Sequence, residues 1–251
     1  MHSTTTITDI LKSAPSGRHD GRLLVGTRAS GAEVAIPYVV LKGARPGPTL
    51  WINGQVHGNE VAAIVAALDL LATLDPAEMT GSVVFTATGN PLAFDVRTMF
   101  SPQDYGNLDQ SFPGRPDGFV TERLAHRLLA EIMAARPDLL ISMHSQGTEA
   151  ASRIYGVFKL PPESTVGTDA IFPYLRLFEP MVVCRMRVEP GMGEIPGNHA
   201  GALDYQAMAH DIPAFMIELG TGQRCHPDDV NMGIEMFGRC PSSEHLAQLA
   251  A

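Results

Sequence analysis

Four residues of this chain have the side chains and neighbours for metal-assisted acid–base chemistry. They are His57 and Glu60 in His-Gly-Asn-Glu, His144 in Ser-Met-His-Ser, and Glu218 in Ile-Glu-Leu-Gly. An imidazole and a carboxylate three residues apart on a tight turn, joined by an imidazole from a distant strand, form a His₂Glu set. Such a set gives a catalytic zinc three protein ligands and leaves a fourth position open. Gly58 and Asn59, between the first two ligands, are small enough to let the backbone turn so that both face one ion. An isolated His-x-x-Glu is common, however, and a lone His after a strand is usually a satisfied polar residue. The reading therefore rests on whether the fold brings all four groups to one place.

The elements that would do so alternate between two periodicities. Residues 22–26 (RLLVG) and 34–42 (VAIPYVVLK) are rich in β-branched residues and bounded by turn signals, as strands are. After the Arg45-Pro46-Gly47-Pro48 turn, 49–53 (TLWIN) reads as a short buried strand. Residues 60–74 (EVAAIVAALDLLATL) have apolar positions at helical spacing, closed by Asp75-Pro76. A strand follows at 82–88, then a helix at 120–135 with Thr121 as its expected cap, then strands at 138–143 and 214–219 and a helix at 227–237. Residues 90–117 hold several Pro, Gly, Asp and Asn without periodicity, and a loop of that length is commonly functional. Alternating strands and helices imply an α/β fold, a mainly parallel mixed sheet flanked by helices. An open sheet of this kind holds its ligands beyond the strand C-termini. His57 and Glu60 follow the strand at 49–53, His144 follows the strand at 138–143, and Glu218 closes the strand at 214–219. With no repeat, linker or low-complexity tract, residues 1–251 are expected to form a single domain.

Bulk properties remove other classes. The net charge is −9, and only three of the 18 basic residues are Lys, with the Arg scattered. No basic stripe for nucleic acid or anionic lipid is present. No apolar run is long enough to span a bilayer, and the N-terminus lacks the pattern of a signal peptide. Cys184, Cys225 and Cys240 are too few and too uneven for a disulfide framework, which suggests reduced thiols and a cytoplasmic setting. There is no Gly-x-Ser-x-Gly elbow, and Cys225 lacks an evident His–carboxylate relay.

Six segments carry a resemblance: NGQVHGNE (53–60), GNPLAFDVR (89–97), NLDQSFPG (107–114), PDGFVTERLAH (116–126), DLLISMHS (138–145) and IPAFMIELGTG (212–222). In order and spacing the chain resembles the succinylglutamate desuccinylase/aspartoacylase family, a branch of the zinc carboxypeptidase superfamily. The resemblance implies one Zn²⁺ per chain on His57, Glu60 and His144, with Glu218 as general base and later proton donor, and Arg97 polarising the scissile carbonyl. These roles are chemically sensible, because a metal ion acidifies water, a carboxylate accepts its proton, and a guanidinium can share the charge of an oxyanion. The activity implied is hydrolysis of the C–N amide bond of a small N-acyl compound. The alternatives are a zinc peptidase or amidase on a peptide-like substrate, or a non-catalytic zinc-binding relative. Asn90 is a candidate for the pocket lining, although Asn-Pro after a strand is also an ordinary turn. His126 reads as structural, and His199, His210 and His226 have no partner at ligand spacing.

Three departures from the family pattern bear on substrate. Where members usually have Asn-Leu-Asn-Arg or Asp-Leu-Asn-Arg, this chain has Asn107-Leu108-Asp109-Gln110, which removes a guanidinium suited to gripping a carboxylate. Asp109 and Gln110 are thus expected to meet an amine, amide or neutral group, unless Arg115 or Arg153 compensates. Ser142 stands where the family usually has Asp, two residues before His144, and neighbours of metal-ligating imidazoles tune metal affinity. Finally, the chain stops soon after the helix at 227–237, so the C-terminal β-rich domain of relatives is expected to be absent, naturally or because the sequence omits it. That would imply a wider cleft, a bulkier substrate, or closure by a neighbouring subunit in a homo-oligomer.

Overall fold

Short runs of Val, Ile, Leu and Phe from the middle of the chain become strands buried on both faces, because helices cover both sides of the sheet they build. The computed structural model describes residues 6–146, 154–179, 182–187 and 199–239. The elements are α1 (Ile7–Ser13), β1 (Gly17–Thr27), β2 (Glu33–Lys42), β3 (Arg45–Asn53), α2 (Ala62–Thr73), β4 (Thr80–Thr86), α3 (Pro91–Val96), α4 (Val120–Ala135) and β5 (Leu139–Gln146). They continue with β6 (Tyr155–Leu160), α5 (Thr168–Arg176), β7 (Val182–Arg187), α6 (Leu203–Ala209), β8 (Ala214–Thr221) and α7 (Pro227–Arg239), with short 3₁₀ turns at Leu108–Gln110 and His199–Gly201.

One eight-stranded sheet runs in the order β1-β2-β4-β3-β5-β8-β6-β7. The central strands β4, β3, β5 and β8 pair in parallel. The antiparallel pairs are β1/β2, β2/β4 and β6/β8, so the sheet is mixed with a parallel centre, as the alternating pattern implies. Trp51, Phe85, Ile141 and Phe215 sit in the core with almost no exposure. Helix α2 packs against α7, and α4 packs against α1 and α6. Among the described residues no helix is long and apolar enough to cross a membrane.

Several boundaries and elements differ from the sequence reading. His144 lies within β5 rather than beyond it, so its side chain is directed by the strand's alternation and not by a loop. Strands β6 and β7 and helices α1, α5 and α6 were not expected, and β6 (YGVFKL) gives no alternating signal because Gly156, Val157, Phe158 and Lys159 are all buried. The irregular stretch 90–117 contains α3. Thr121 is not the cap of α4: Phe119 takes that position, its N–H donating to the Glu122 carboxylate at 2.9 Å, while Thr121 donates from both N–H and hydroxyl to Asp104. Cys184 and Cys225 are free and exposed, whereas Cys240 and Arg153 fall outside the described residues.

Candidate metal centre

The loop that carries the first two ligands is held by backbone hydrogen bonds before any side chain acts. Where β3 ends, Gly54 N–H donates to Thr86 O, Gly89 N–H to Gly54 O and Asn90 N–H to Gln55 O, each at 2.9 Å. The loop after β3 is therefore stitched to the loop after β4. Gln55 adopts a left-handed backbone (φ 47°), an uncommon conformation for a residue with a side chain, and is fully buried. Gly58 is required for a reason other than backbone freedom. A Cβ there would run into the Ala93 carbonyl and the Phe94 nitrogen, so the loop can pass α3 only without a side chain. Asn59 O accepts from Gln223 N–H, which joins the same loop to the segment after β8.

On this frame His57, Glu60 and His144 converge, with one ligand atom from each lying within 4.8 Å of the others. His57 Nδ1 is 2.8 Å from Glu60 Oε1, and His144 Nδ1 is 3.2 Å from Glu60 Oε2. The opposite nitrogens are also engaged. His57 Nε2 is 3.0 Å from Asn107 Oδ1, and His144 Nε2 is 3.2 Å from Ser142 Oγ and 3.9 Å from Asp109 Oδ1. Protonated, each ring can donate from Nδ1 to Glu60; as the neutral tautomer with its hydrogen on Nε2, the same ring would be held by its Nε2 contact with Nδ1 directed at a metal.

Charge in the site is far from its aqueous balance. Burial alone would hold His144 neutral, but the Glu60 carboxylate beside it outweighs that and raises it to about 10. His57 is likewise raised by Glu60 against the effect of its burial. Burial would raise Glu60, yet the two imidazoles bring it down to about 2. Of the buried carboxylate oxygens, Glu218 Oε2 has no hydrogen-bond partner, and Glu60 Oε2 has only the poorly aligned His144 Nδ1 contact at 3.2 Å. An unpaired oxygen on a buried carboxylate is costly, and a cation among these groups would remove the cost. The donor set therefore fits a divalent metal ion, with Glu60 as the anionic ligand and two neutral imidazoles.

The other wall is one face of the sheet. In register, His144 on β5 stands beside Glu218 on β8, and Glu218 stands beside Tyr155 on β6. Alternation then adds Met216, Val157 and Lys159, and from β7 Cys184 and Met186, to a cavity of about 330 Å³ that reaches His57, Asp109 and Gln110. Burial is the main influence on Glu218 and keeps its carboxyl high, at about 7. Lys159 and Asp204 form a fully buried pair at 2.7 and 2.9 Å, leaving Lys159 no free charge toward the cavity.

The residues expected from sequence thus divide. His57, Glu60, His144, Glu218, Asp109 and Gln110 come together. Arg97 does not: it ends α3 in a left-handed conformation, exposed, and is not among the residues lining the cavity. Asn90 does not line it either. It is fully buried as the cap of α3, accepting from Ala93 N–H at 3.2 Å and donating to Val56 O and Ser101 Oγ, so it steadies the His57 loop. Arg115 pairs with Glu122 at 3.0 Å and offers no compensation for Gln110. Residues the sequence reading did not single out include Tyr155, Lys159 and Met216, and His199, set aside there for want of a partner, lines the cavity from a 3₁₀ turn. The aromatic and branched run at 155–160, closed by Pro161-Pro162, is the signal that could have revealed Tyr155 and Lys159.

Comparison with known proteins gives a consistent set. The family described as Succinylglutamate desuccinylase/Aspartoacylase catalytic domain matches residues 46–242. A curated relative, N-alpha-acetyl-L-2,4-diaminobutyric acid deacetylase of Halomonas elongata, is 36% identical over 114 residues, covering 45% of this chain and 33% of that protein. The product-bound structure of an ectoine utilization protein from Ruegeria pomeroyi superposes with a TM-score of 0.77 at 26% identity, covering 89% of this chain and 66% of the other. A succinylglutamate desuccinylase/aspartoacylase structure from Rhodobacter sphaeroides shares the fold with a TM-score of 0.74 at 24% identity, covering 89% and 64%. The chain thus spans about a third of the curated relative it matches and somewhat under two thirds of these two structures.

Proposed function

The chain belongs to the succinylglutamate desuccinylase/aspartoacylase family, and on that premise we propose that it is a zinc-dependent hydrolase that cleaves the C–N amide bond of a small N-acyl compound. The observation that carries the reading is the convergence of His57, Glu60 and His144 at a cavity that His57 and His144 line together with Glu218, whose Oε2 is buried and unpaired. When bound by these ligands, a zinc ion would acidify water and polarise the substrate carbonyl.

The chain's own residues supply the proton handling. Glu218, held near 7 by burial, is poised to accept a proton from the attacking water and return it to the leaving nitrogen. Asn107 and Ser142 fix the imidazole rings through their Nε2 atoms, so the ligand nitrogens need no reorientation. Arg97 is carried here as the partner of the developing oxyanion, a role that requires its exposed side chain to fold into the cavity. Replacing it by Ala is expected to lower kcat roughly 10²- to 10³-fold with KM little changed, and an unchanged kcat removes it from the mechanism.

For the substrate we draw on charge. Asp109 lines the cavity with its side chain 17% exposed, where relatives of the usual pattern carry an Asn-Arg pair. A carboxylate on the substrate would be repelled there, whereas an ammonium or neutral amide would be accepted. The Halomonas relative is named for an N-acetylated diamino acid, a compound that carries an amine for Asp109 as well as a carboxylate that would have to be held elsewhere. The test is metal analysis of purified protein together with a screen of N-acyl diamines, N-acyl amino acids and simple amides. One zinc per chain and chelator-sensitive hydrolysis are expected, with Glu218→Ala keeping zinc while kcat falls roughly 10²- to 10⁴-fold. Turnover that survives metal removal, or an undiminished Glu218→Ala variant, overturns the proposal. A strict requirement for a substrate carboxylate would overturn the role given to Asp109.

A further inference from the structure

Tyr155 lies outside every motif that points to chemistry, yet the sheet delivers it to the centre of the site. The pairing of β6 with β8 sets Tyr155 opposite Glu218, and the pairing of β5 with β8 sets His144 opposite the same residue. All three side chains line one cavity. The Tyr155 hydroxyl lies within side-chain hydrogen-bonding reach of the Glu218 carboxylate, and the side chain of Gln146, two residues beyond His144, lies within the same reach of Tyr155. Glu218 Oε2 is left buried without a partner. The carboxylate thus has the Tyr155 hydroxyl beside it and one oxygen, Oε2, that is bare.

We propose that Tyr155 is a positioning residue for the base: its hydroxyl fixes the Glu218 carboxylate so that Oε2 stays free to take the proton. This rests on the reading of Glu218 as general base. The need for such a tether is physical. A glutamate side chain has three rotatable bonds, and a misplacement of about 1 Å in a reacting group can cost roughly a hundredfold in rate. The neighbours on the same wall cannot hold it, since Val157 and Met216 carry no donor and Lys159 is taken by Asp204. Tyr155 is suited to the task because burial and the Glu218 charge push its hydroxyl well above the usual range, so it remains a protonated donor throughout the working pH.

The experiment compares metal-loaded wild-type protein with Tyr155→Phe, which keeps the ring and removes only the hydroxyl. The expected result is kcat lower by about 10- to 100-fold, with KM within about threefold, zinc content unchanged and melting temperature little altered. An unchanged kcat, or a loss confined to KM, overturns the proposal. Crystal structures of the two metal-loaded proteins give a readout independent of turnover. Glu218 should hold one orientation in the wild type and a displaced or divided one in the variant, and identical orientations overturn the proposal. Should Tyr155→Phe fail to fold, Gln146→Leu loosens the same tether and is expected to give a smaller fall in kcat at constant KM, and its full activity would count against the idea. If the metal-loaded wild type hydrolyses no N-acyl compound, the functional reading fails, while the crystal comparison still decides whether Tyr155 positions Glu218.

Discussion

His57 and Glu60 sit on a loop, Glu218 and Tyr155 on neighbouring strands, and the two halves of the site are held in different ways. The loop half depends on particular contacts: backbone bonds to the segment after β4, the Asn90 cap, and the bare Cα of Gly58 against α3. The strand half depends on register, which places one residue from each of β5, β8 and β6 abreast without special backbone geometry. Each half leaves buried polar atoms open: on the loop half Gln55 Nε2 and Asn59 Oδ1 have no partner, although Asn107 holds His57. The strand half leaves Glu218 Oε2 unpaired beside apolar Val157 and Met216. A metal ion needs ligands fixed in advance, whereas a base needs one reactive oxygen left unsatisfied. The same cavity meets both demands because loop contacts fix His57 and Glu60 while strand register sets His144 beside Glu218.

The strongest way to break this division is to remove a ligand. His144→Ala should lose the metal and lower turnover by about 10³-fold or more, because transition-state charge then goes unneutralised. Mass spectrometry of the native protein checks the metal, and retention of a full equivalent would show that His144 is not a ligand. A glycine comparison sharpens the contrast. Gly58→Ala sets a Cβ against the backbone of Ala93 and Phe94, which cannot yield, whereas Gly156→Ala on β6 meets the side chain of Leu175, which can. The first is expected to cost about 1–3 kcal/mol of stability and to weaken metal binding, and the second to cost less and leave metal affinity alone. Thermal melts with and without zinc distinguish them. Equal effects would mean that the loop is not the more tightly specified half.

That division also explains what could be read from the chain. Strands β2, β3, β4, β5 and β8, and helices α2, α4 and α7, announce themselves through uniform apolar runs or helical periodicity bounded by Gly and Pro. The ligand set was legible for the same reason: His57 and Glu60 share a turn, and His144 and Glu218 lie in obvious strands. Tyr155 and Lys159 were hidden because β6 is buried on both faces and pairs antiparallel with β8, a partner 54 to 66 positions away that no local pattern names. Gly58 was expected to matter through backbone freedom, and matters through contact with α3, an element the Pro- and Gly-rich stretch conceals. Asn90 shows the opposite error, a residue beside a motif whose polar atoms all serve the fold. Local chemistry reveals ligands, and only tertiary register reveals the residues that hold the base.

The smallest expected effect concerns protons on the ligand histidines. In the metal-free protein His57 and His144 are raised, His144 to about 10, mainly through Glu60 overcoming their burial. A histidine whose folded value exceeds its ordinary 6.5 adds stability that is fully present below pH 6.5 and is lost as pH rises toward 10. The metal-free protein should therefore melt at progressively lower temperature between pH 7 and 10. Zinc must displace those same protons, so its apparent affinity should rise across the interval by up to roughly tenfold per pH unit for each proton released. The metal-loaded protein, with both imidazoles neutral, should lack the alkaline decline. Melting curves with and without zinc at pH 7, 8 and 9 test this, and parallel curves would mean that Glu60 holds no shared protons for the metal to replace.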